Sequence, residues 1–298
     1  MENIIECRNL THYYGERCIY ENLSFNVTQG SIVGLLGKNG TGKTTTINIL
    51  NGFLKPKSGS CKILGEESNN ISPETRSKIG LLIEGHVQYN YMNIAELEKF
   101  YSGFFPKWDS KPLHELLSKL QVNRKQKIST MSCGQRSQVA LGLIMSQDPE
   151  VLILDDFSMG LDPGYRRLFV EYLKDYATSR NKTVFVTSHI IQDMEKLVDS
   201  CLIMDYGRII THRPLEDFMT KYKKHQLKAP DNKEAVSALK NTEGIDHLDV
   251  FKDKMEYHSF LAQDEISALY QKYNINATDE KSQTVSLEDA FIGITGKY

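Results

Sequence analysis

Short apolar runs alternate with helical patterns over much of the chain. The runs 32–36, 79–83, Val151–Leu154 and Thr183–Thr187 are nearly continuous, which is typical of strands buried on both faces of a parallel sheet. Between the last two runs, apolar residues recur at helical spacing over residues 165–176. A strand, a crossover helix and a second strand form the unit of a parallel sheet, so this pattern predicts a doubly wound α/β core.

Other stretches extend this core on both sides. Residues 4–10 and 18–27 are predicted to be antiparallel strands ahead of it, and residues 59–64 another short strand. Residues 85–147 are mainly helical in pattern, which predicts a helical insertion. Residues 201–205 with 208–210 are predicted to form a closing hairpin.

A polar run, residues 221–231, marks a boundary. The predicted domains are therefore residues 1–220, which hold the core and the insertion, and residues 221–298, a small α+β appendage. The appendage shows weak alternation and ends in a helical pattern of Leu287, Ala290, Phe291 and Ile294.

Composition narrows the class of protein. The chain has 298 residues, of which 40% are apolar, and 36 basic residues nearly balance 38 acidic ones. A net charge of -2 argues against a broad basic face that neutralises a phosphate backbone, so nucleic acid is not an expected partner. The five cysteines lack paired metal spacing and suit reduced thiols in a cytosolic protein. With no leader pattern and no apolar stretch of spanning length, the chain is expected neither to cross a membrane nor to be exported through one.

The stretch GKNGTGKT, residues 37–44, has the spacing of a phosphate-binding loop and joins a predicted strand to a helix expected to stop near Leu54. Glycines let several backbone N–H groups point at one anion, and the helix N-terminus adds partial positive charge. Lys43 is placed to reach the β- and γ-phosphates, and Thr44 to offer its hydroxyl to Mg²⁺. The predicted nucleotide-binding residues here are Gly37, Lys38, Asn39, Gly40, Thr41, Gly42, Lys43, Thr44 and Thr45.

An acidic residue follows a later strand. Asp155 ends the apolar run Val151–Leu154, where a phosphate-loop protein holds Mg²⁺. Three motifs follow one another along the chain: the phosphate loop, the stretch MSCGQ at residues 131–135, and this acid. In this order they resemble the motifs of the ATP-binding subunits of ATP-binding cassette (ABC) transporters, and the resemblance covers roughly residues 3–215. The resemblance implies a P-loop NTPase core that binds ATP with Mg²⁺ and hydrolyses the ATP.

Further site residues are implied by this resemblance alone. Tyr14 falls where the family has an aromatic ring that stacks on adenine, and His189 where it has a histidine that contacts the γ-phosphate. Each also has a purely structural alternative, as a packed strand tyrosine or a core histidine. Residues of the family signature grip the nucleotide bound by an opposite subunit, and a loop that contains an aspartate crosses between the two subunits. The matching residues are Ser132, Gly134, Gln135 and Asp162.

Three positions depart from the family pattern. Asp156 stands where the family usually has the glutamate that polarises the attacking water, and Cys133 replaces a signature glycine. The carboxylate of Asp156 would lie about 1.5 Å farther from that water, a displacement that costs on the order of a hundredfold in rate. Glu84 aligns with the glutamine that ligates Mg²⁺ and assists catalysis. We therefore expect slow hydrolysis; the alternative is ordinary sequence drift.

The resemblance also implies partners. A second ABC subunit, identical or different, must complete each ATP site, and a separate transmembrane permease must dock on the helical insertion, with Tyr89, Tyr91 and Met92 as candidate contacts or core residues. The protein is then a peripheral motor on the cytoplasmic face of the cell membrane, in an exporter of peptides, toxins or drugs. The alternatives are an ATP-binding regulatory or structural module with little turnover, and a soluble ABC ATPase that acts on ribosomes or DNA.

Overall fold

A computed structural model describes residues 2–83, 89–158 and 161–296. Contacts divide the chain into two compact units, Met1–Ile209 and Ile210–Tyr298. The division falls before the polar run 221–231, so the residues after Ile209 group with the second unit rather than with the first. The domain bounds 1–220 and 221–298 stay a prediction.

Two sheets form the frame of the first unit, and their last strand, β10, runs across the boundary at Ile209. The strands are β1 (Asn3–Tyr14), β2 (Arg17–Thr28), β3 (Ile32–Gly37), β4 (Ser58–Ile63), β5 (Glu66–Glu67), β6 (Ile79–Leu82), β7 (Val151–Leu154), β8 (Thr183–Thr187), β9 (Ser200–Asp205) and β10 (Arg208–Pro214). An antiparallel sheet has the order β2-β1-β4-β5 and a second sheet the order β10-β9-β3-β8-β7-β6. Within the second sheet β9, β3, β8, β7 and β6 run parallel.

Helices cover this frame. They are α1 (Lys43–Leu50), α2 (Pro73–Arg76), α3 (Ile94–Ser102), α4 (Lys111–Leu120), α5 (Cys133–Ser146), α6 (Pro163–Ser179) and α7 (Ile191–Leu197). One apolar core lies between the two sheets and α1, with fully buried Leu35 and Ile47 among its members. A second joins α3, α4 and α5 through Ile94, Leu97 and Leu113. The predicted β-α-β order of β7, α6 and β8 is confirmed, and with it the doubly wound core with antiparallel N-terminal strands.

Helix α1 ends earlier than predicted. It stops at Leu50, and Gly52 follows in the left-handed conformation with φ of 71°. The amides of Phe53 and Leu54 both donate to the carbonyl of Asn48, which closes the helix end. The expectation of a stop near Leu54 is therefore wrong, because a glycine with positive φ ends the helix before Pro56 can.

The second unit is α+β. It contains α8 (Leu215–Thr220), β11 (Lys223–Lys228), α9 (Lys233–Lys240), β12 (Ile245–Phe251), β13 (Lys254–Ser259), α10 (Gln263–Lys272), β14 (Lys281–Thr284) and α11 (Leu287–Thr295). The sheet order is β12-β13-β11-β14 with antiparallel pairing throughout. Over the part of the chain that the structure describes, no helix is both long and apolar enough to span a bilayer.

Candidate nucleotide site

The carboxyl ends of three neighbouring strands meet at one edge of the parallel sheet. Strand β8 lies between β3 and β7, and all three run in the same direction. Open α/β sheets bind ligands at this edge. The segments that leave these strands and the first hairpin enclose a cavity of about 320 Å³. Its lining is Tyr14, Arg17, Ile19, Asn39, Gly40, Gly42, Lys43, Thr44, Thr45, Asp155, Asp156, Thr187, Ser188 and His189.

The phosphate loop depends on its glycines. Gly40 and Gly42 have φ of 80° and 108°, where residues with a side chain are strained. A Cβ on Gly42 would lie 2.8 Å from Cγ2 of Ile19 and 2.9 Å from Cδ1 of Tyr20, so the loop also needs the missing side chain for space. Gly42 is the N-cap of α1 and no side chain caps that helix end. The first amides of α1 therefore face the cavity as donors for an anion.

Lys43 is the buried cation of the cavity. Its Nζ donates to the carbonyl oxygens of Gly37 at 2.6 Å and Lys38 at 3.1 Å. Burial lowers the pKa of Lys43, while the negative charges of Asp156 and Asp155 act in the opposite direction. The side chain therefore lies folded over its own loop, with its ammonium group on two carbonyl oxygens of that loop.

The two acids after β7 are held by residues that follow β8. The hydroxyl of Thr187 donates to Oδ1 of Asp155 at 2.6 Å and accepts from the amide of Asp156 at 2.9 Å. Oδ1 of Asp156 accepts from the amide of His189 at 3.1 Å, and its Oδ2 lies 3.0 Å from Nε2 of His189. Both carboxylates are buried and in fixed positions.

Asp156 adopts a backbone conformation that is uncommon for a residue with a side chain. Its φ is 48°, in the left-handed region. Such strain persists where surrounding contacts hold the residue, here through Thr187 and His189. In this conformation the Asp156 carboxylate lies beside His189.

The signature residues lie outside this cavity. Ser132 caps α5: its Oγ accepts from the amide of Gln135 at 3.2 Å, and Oε1 of Gln135 accepts from the amide of Ser132 at 3.1 Å. Cys133 is exposed, and Gly134 packs beside Leu161. Asp162 is exposed at the start of α6. None of these four predicted site residues lines the cavity of the same chain: Ser132, Gly134, Gln135 and Asp162.

The other predicted site residues divide into three groups. Tyr14, Asn39, Gly40, Gly42, Lys43, Thr44, Thr45, Asp155, Asp156 and His189 share the cavity lining. Gly37, Lys38 and Thr41 belong to the same loop, where the Thr41 hydroxyl donates to the carbonyl of Lys38 at 2.8 Å. Glu84 lies outside the described residues.

Sequence reasoning missed four lining residues: Arg17, Ile19, Thr187 and Ser188. A signal for Thr187 and Ser188 was available, because two hydroxyl residues directly follow a buried run and precede His189. Arg17 stood in a predicted turn just after Tyr14, and nothing local to that turn shows that it faces the phosphate loop.

The cavity offers hard oxygen ligands of the kind that Mg²⁺ prefers. Thr44 presents an exposed hydroxyl at the start of α1, and Oδ1 of Asp155 carries the hydrogen bond from Thr187, which leaves Oδ2 for a ligand. Among the described residues, no group of three His, Cys, Asp or Glu side chains is arranged to hold a metal ion. The donor set fits a magnesium ion that a phosphate ligand helps to hold.

Known proteins of similar sequence include ATP-binding proteins of transporters. The family model for ABC transporters matches residues 20–158. The bacitracin transport ATP-binding protein of Bacillus licheniformis is 30% identical over 304 residues, which cover 99% of this chain and 98% of that protein. A Nod factor export ATP-binding protein of Cupriavidus metallidurans is 31% identical over 215 residues, 70% of this chain and 71% of that protein.

Solved structures share the fold. A dimeric, post-hydrolysis ATP-binding cassette bound to ADP and Pi superposes with a TM-score of 0.61 at 21% identity, over 71% of this chain and 98% of that chain. A bacterial Atm1-family ABC exporter with ATP bound superposes with a TM-score of 0.62 at 20% identity, over 72% of this chain and 39% of that one.

Proposed function

Since this chain belongs to the ATP-binding proteins of ABC transporters, we propose that it binds MgATP. The binding site is the cavity at the carboxyl ends of β3, β8 and β7. The protein is an ATPase subunit that drives a transporter. The observation that carries the proposal is the convergence of uncapped α1 amides, Lys43 and Asp155 on one cavity. The phosphates lie on the loop amides, and Lys43 turns its ammonium group from Gly37 towards them.

Tyr14 supplies the base-stacking surface. The residue is 49% exposed at the end of β1 and lines the cavity. His12 meets this ring edge-on, with ring centroids 5.0 Å apart and planes at 80°. The imidazole of His12 is buried, so it supports the Tyr14 ring from the protein side and leaves the ring's other surface for adenine.

Thr44 and Asp155 hold the magnesium ion with the phosphates. When bound, Mg²⁺ neutralises charge that develops on the phosphate oxygens. The Thr187 hydroxyl keeps the Asp155 carboxylate in one rotamer, so the ligand oxygen is oriented before the ion arrives. Glu84 is a third ligand in this proposal.

Asp156 and His189 serve hydrolysis, with Asp156 as the residue that orients the attacking water. In this structure Oδ1 of Asp156 accepts from the amide of His189, whereas Oδ2 lies 3.0 Å from Nε2 of His189 and has no hydrogen-bond partner among the described residues. His189 stands beside Oδ2 and must move for its ring to reach a γ-phosphate and for a water to bind at Oδ2. This position of His189 supports slow turnover, in addition to the shorter Asp156 side chain.

A second subunit completes the site. Ser132, Gly134, Gln135 and Asp162 lie outside the cavity of their own chain, which supports a composite site in which a partner supplies them. A homodimer places Asp156 and Cys133 in both sites. A different partner chain places them in two different sites, one without the usual glutamate and the other without the usual signature glycine.

A separate permease docks on an exposed aromatic patch, which we define as Tyr89, Tyr91, Phe100 and Phe104. Their exposed fractions are 41%, 69%, 37% and 65%. The rings contact one another, with centroids 5.1 to 6.0 Å apart from Tyr91 through Tyr89 and Phe100 to Phe104. Contiguous exposed apolar rings mark protein contacts. Met92, in contrast, packs against the core of α3, α4 and α5.

The direction of transport is export. The similar proteins from Bacillus licheniformis and Cupriavidus metallidurans are named for bacitracin transport and Nod factor export. Their likeness supports an exporter that moves a peptide or another amphipathic molecule out of the cell. The ATPase then lies at the cytoplasmic face of the cell membrane, held there by the permease.

Steady-state ATP hydrolysis by the purified full chain tests the function. Lys43→Ala should reduce turnover at least a hundredfold, because it removes the buried cation from the phosphates. Lys55→Ala removes the same charge at an exposed position outside the cavity lining and should leave turnover unchanged. Equal activity of the two variants would refute the proposed site. Wild-type binding of ATP without turnover, alone and with its permease, would favour a regulatory module instead.

A further inference from the structure

Arg17 is a charged residue of the cavity lining to which neither the sequence nor the proposed function gives a role. It opens β2 directly after the turn Gly15–Glu16 and is exposed on the side of the cavity. A Cβ built on Gly40 would lie 3.3 Å from Nη2 of Arg17. The guanidinium group therefore lies over the tip of the phosphate loop, within reach of an anion bound there.

The hairpin fixes Arg17 together with Tyr14. The two residues are directly opposite each other in the register of β1 and β2. Residues paired in this way project from the same face of a sheet. Gly15, with φ of 61°, allows the tight turn that joins them. One rigid hairpin thus presents an aromatic ring and a cation to the same cavity.

The guanidinium group of Arg17 forms no ion pair or hydrogen bond with any residue within 2–83, 89–158 and 161–296. Arg8 on β1 differs, because its guanidinium lies 2.6 Å from Glu6. Arg180 likewise lies 2.7 Å from Asp109. Arg17 therefore retains all of its donors for a ligand.

Two buried carboxylates and one buried ammonium group line the cavity before any magnesium ion binds. Asp155 and Asp156 are both buried in the wall of the cavity. The ammonium group of Lys43 already donates hydrogen bonds to the carbonyl oxygens of Gly37 and Lys38. Two carboxylates repel a polyphosphate at short range. A guanidinium fork offsets this repulsion and matches phosphate oxygens in geometry, with two parallel N–H donors.

We propose that Arg17 is a phosphate-binding residue of the nucleotide site, and that the β1–β2 hairpin grips the nucleotide at two points, the base through Tyr14 and a phosphate through Arg17. The inference rests on the proposed function of the same cavity. Arg17 thus adds to the binding affinity for nucleotide phosphates that the phosphate loop provides. Because this contribution is electrostatic, it should decrease as the salt concentration rises.

Equilibrium competition against a fluorescent ATP analogue tests the proposal on the full chain. Arg17→Gln should weaken ATP and ADP binding about tenfold and leave adenosine binding within twofold, since only the phosphate contact is removed. Arg17→Lys should recover part of the loss, because it keeps the charge without the fork. The affinity of Arg17→Gln for ATP should also fall less steeply with added salt than that of the wild type. Arg8→Gln, an equal charge change on the same sheet, is the control and should bind as the wild type does.

Three results separate this proposal from the function it rests on. If Lys43→Ala loses ATP affinity and Arg17→Gln binds ATP as the wild type does, the role of Arg17 is refuted and the site stands. If Arg17→Gln weakens adenosine as much as ATP, the effect is on Tyr14 or the hairpin fold, and the phosphate contact is refuted. If Lys43→Ala also binds ATP normally, the site itself is wrong. Far-ultraviolet circular dichroism and Trp108 fluorescence verify that each variant is folded.

Discussion

The two units of the chain both bury ionisable groups, and they use them in opposite ways. In the first unit Lys43, Asp155 and Asp156 converge on a cavity that can admit a ligand. In the second unit His225 and Glu280 face each other inside the protein. A buried ionisable group that lines a cavity thus indicates a binding site. A buried ionisable group whose hydrogen bonds are made by other protein side chains indicates a structural role.

The network of the second unit joins four of its parts. Oε1 of Glu280 accepts from the hydroxyl of Tyr270 at 2.8 Å and lies 2.8 Å from Nδ1 of His225. The Tyr270 hydroxyl lies 2.5 Å from that of Tyr257, whose ring stacks on His225 at 4.8 Å. Burial lowers the pKa of His225, and Glu280 acts in the opposite direction. The network connects β11, β13 and α10 to the segment before β14.

The largest predicted effect concerns the first unit. Gly42→Ala forces a side chain into φ of 108° and against Ile19 and Tyr20. We expect it to lower the unfolding free energy by about 3 kcal/mol and to abolish tight ATP binding. Urea unfolding followed through Trp108, together with nucleotide titration, measures both.

Gly164→Ala is the control for that change, because a Cβ there meets no described atom within 4 Å and the residue lies in the first turn of α6. It should be neutral or slightly stabilising. If Gly42→Ala is as stable as Gly164→Ala and binds ATP equally well, Gly42 does not have the positive φ that the phosphate loop requires.

The next effect tests the second unit. Glu280→Ala leaves the Tyr270 hydroxyl and His225 without their buried acceptor and should cost about 2 to 3 kcal/mol of stability in this unit. Amide hydrogen exchange should show faster exchange in β11, β13 and α10, while ATP affinity stays within twofold of the wild type. Glu243→Ala, an exposed change in the same unit, should alter neither. A loss of ATP binding in Glu280→Ala would contradict the separation of roles between the units.

A smaller effect follows from pH. Burial, with help from Lys224 and His247, lowers the pKa of His258 to about 4, against the pull of Asp289 and Glu256. An unfolded histidine titrates near pH 6.5, so between about pH 6.5 and pH 4 the unfolded chain binds more protons than the folded one. The stability from neutral His258 is complete above this window and is lost as the pH falls through it.

The protection factors of the β13 amides, which are the exchange rates corrected for the intrinsic base-catalysed rate, should therefore fall between pH 7 and pH 5. His258→Gln should remove part of this loss of protection, since it removes the titrating group. An identical pH response in the variant and the wild type would show that other groups control the stability of this unit.

Much of the nucleotide site followed from the sequence because its signals are local. The phosphate loop, the strands Val151–Leu154 and Thr183–Thr187, and Asp155 after the first of them are contiguous patterns. The early end of α1 was missed because the positive φ of Gly52 depends on the Asn48 carbonyl that closes the turn. Arg17 was missed because its neighbour in space, Gly40, is 23 positions away.

Less of the second unit could be predicted from the sequence, because its contacts join residues that are far apart in the chain. Its terminal helix was predicted from Leu287 and Phe291, and α11 confirms it. The pair of His225 and Glu280 is separated by 55 positions and forms only when β11 pairs with β14. When paired strands are this far apart in the chain, the hydrophobic pattern of each strand does not show which residue will lie opposite a given histidine.

Hydrogen exchange of the full chain with and without MgATP tests the central claim most directly, because it reports on both units at once. Binding should slow exchange in residues 37–50, in the segment after β7 and in residues 187–190, and leave β11, β13 and α10 unchanged. Protection confined to the second unit, or no protection of residues 37–50 at saturating MgATP, would contradict the assignment of the nucleotide site.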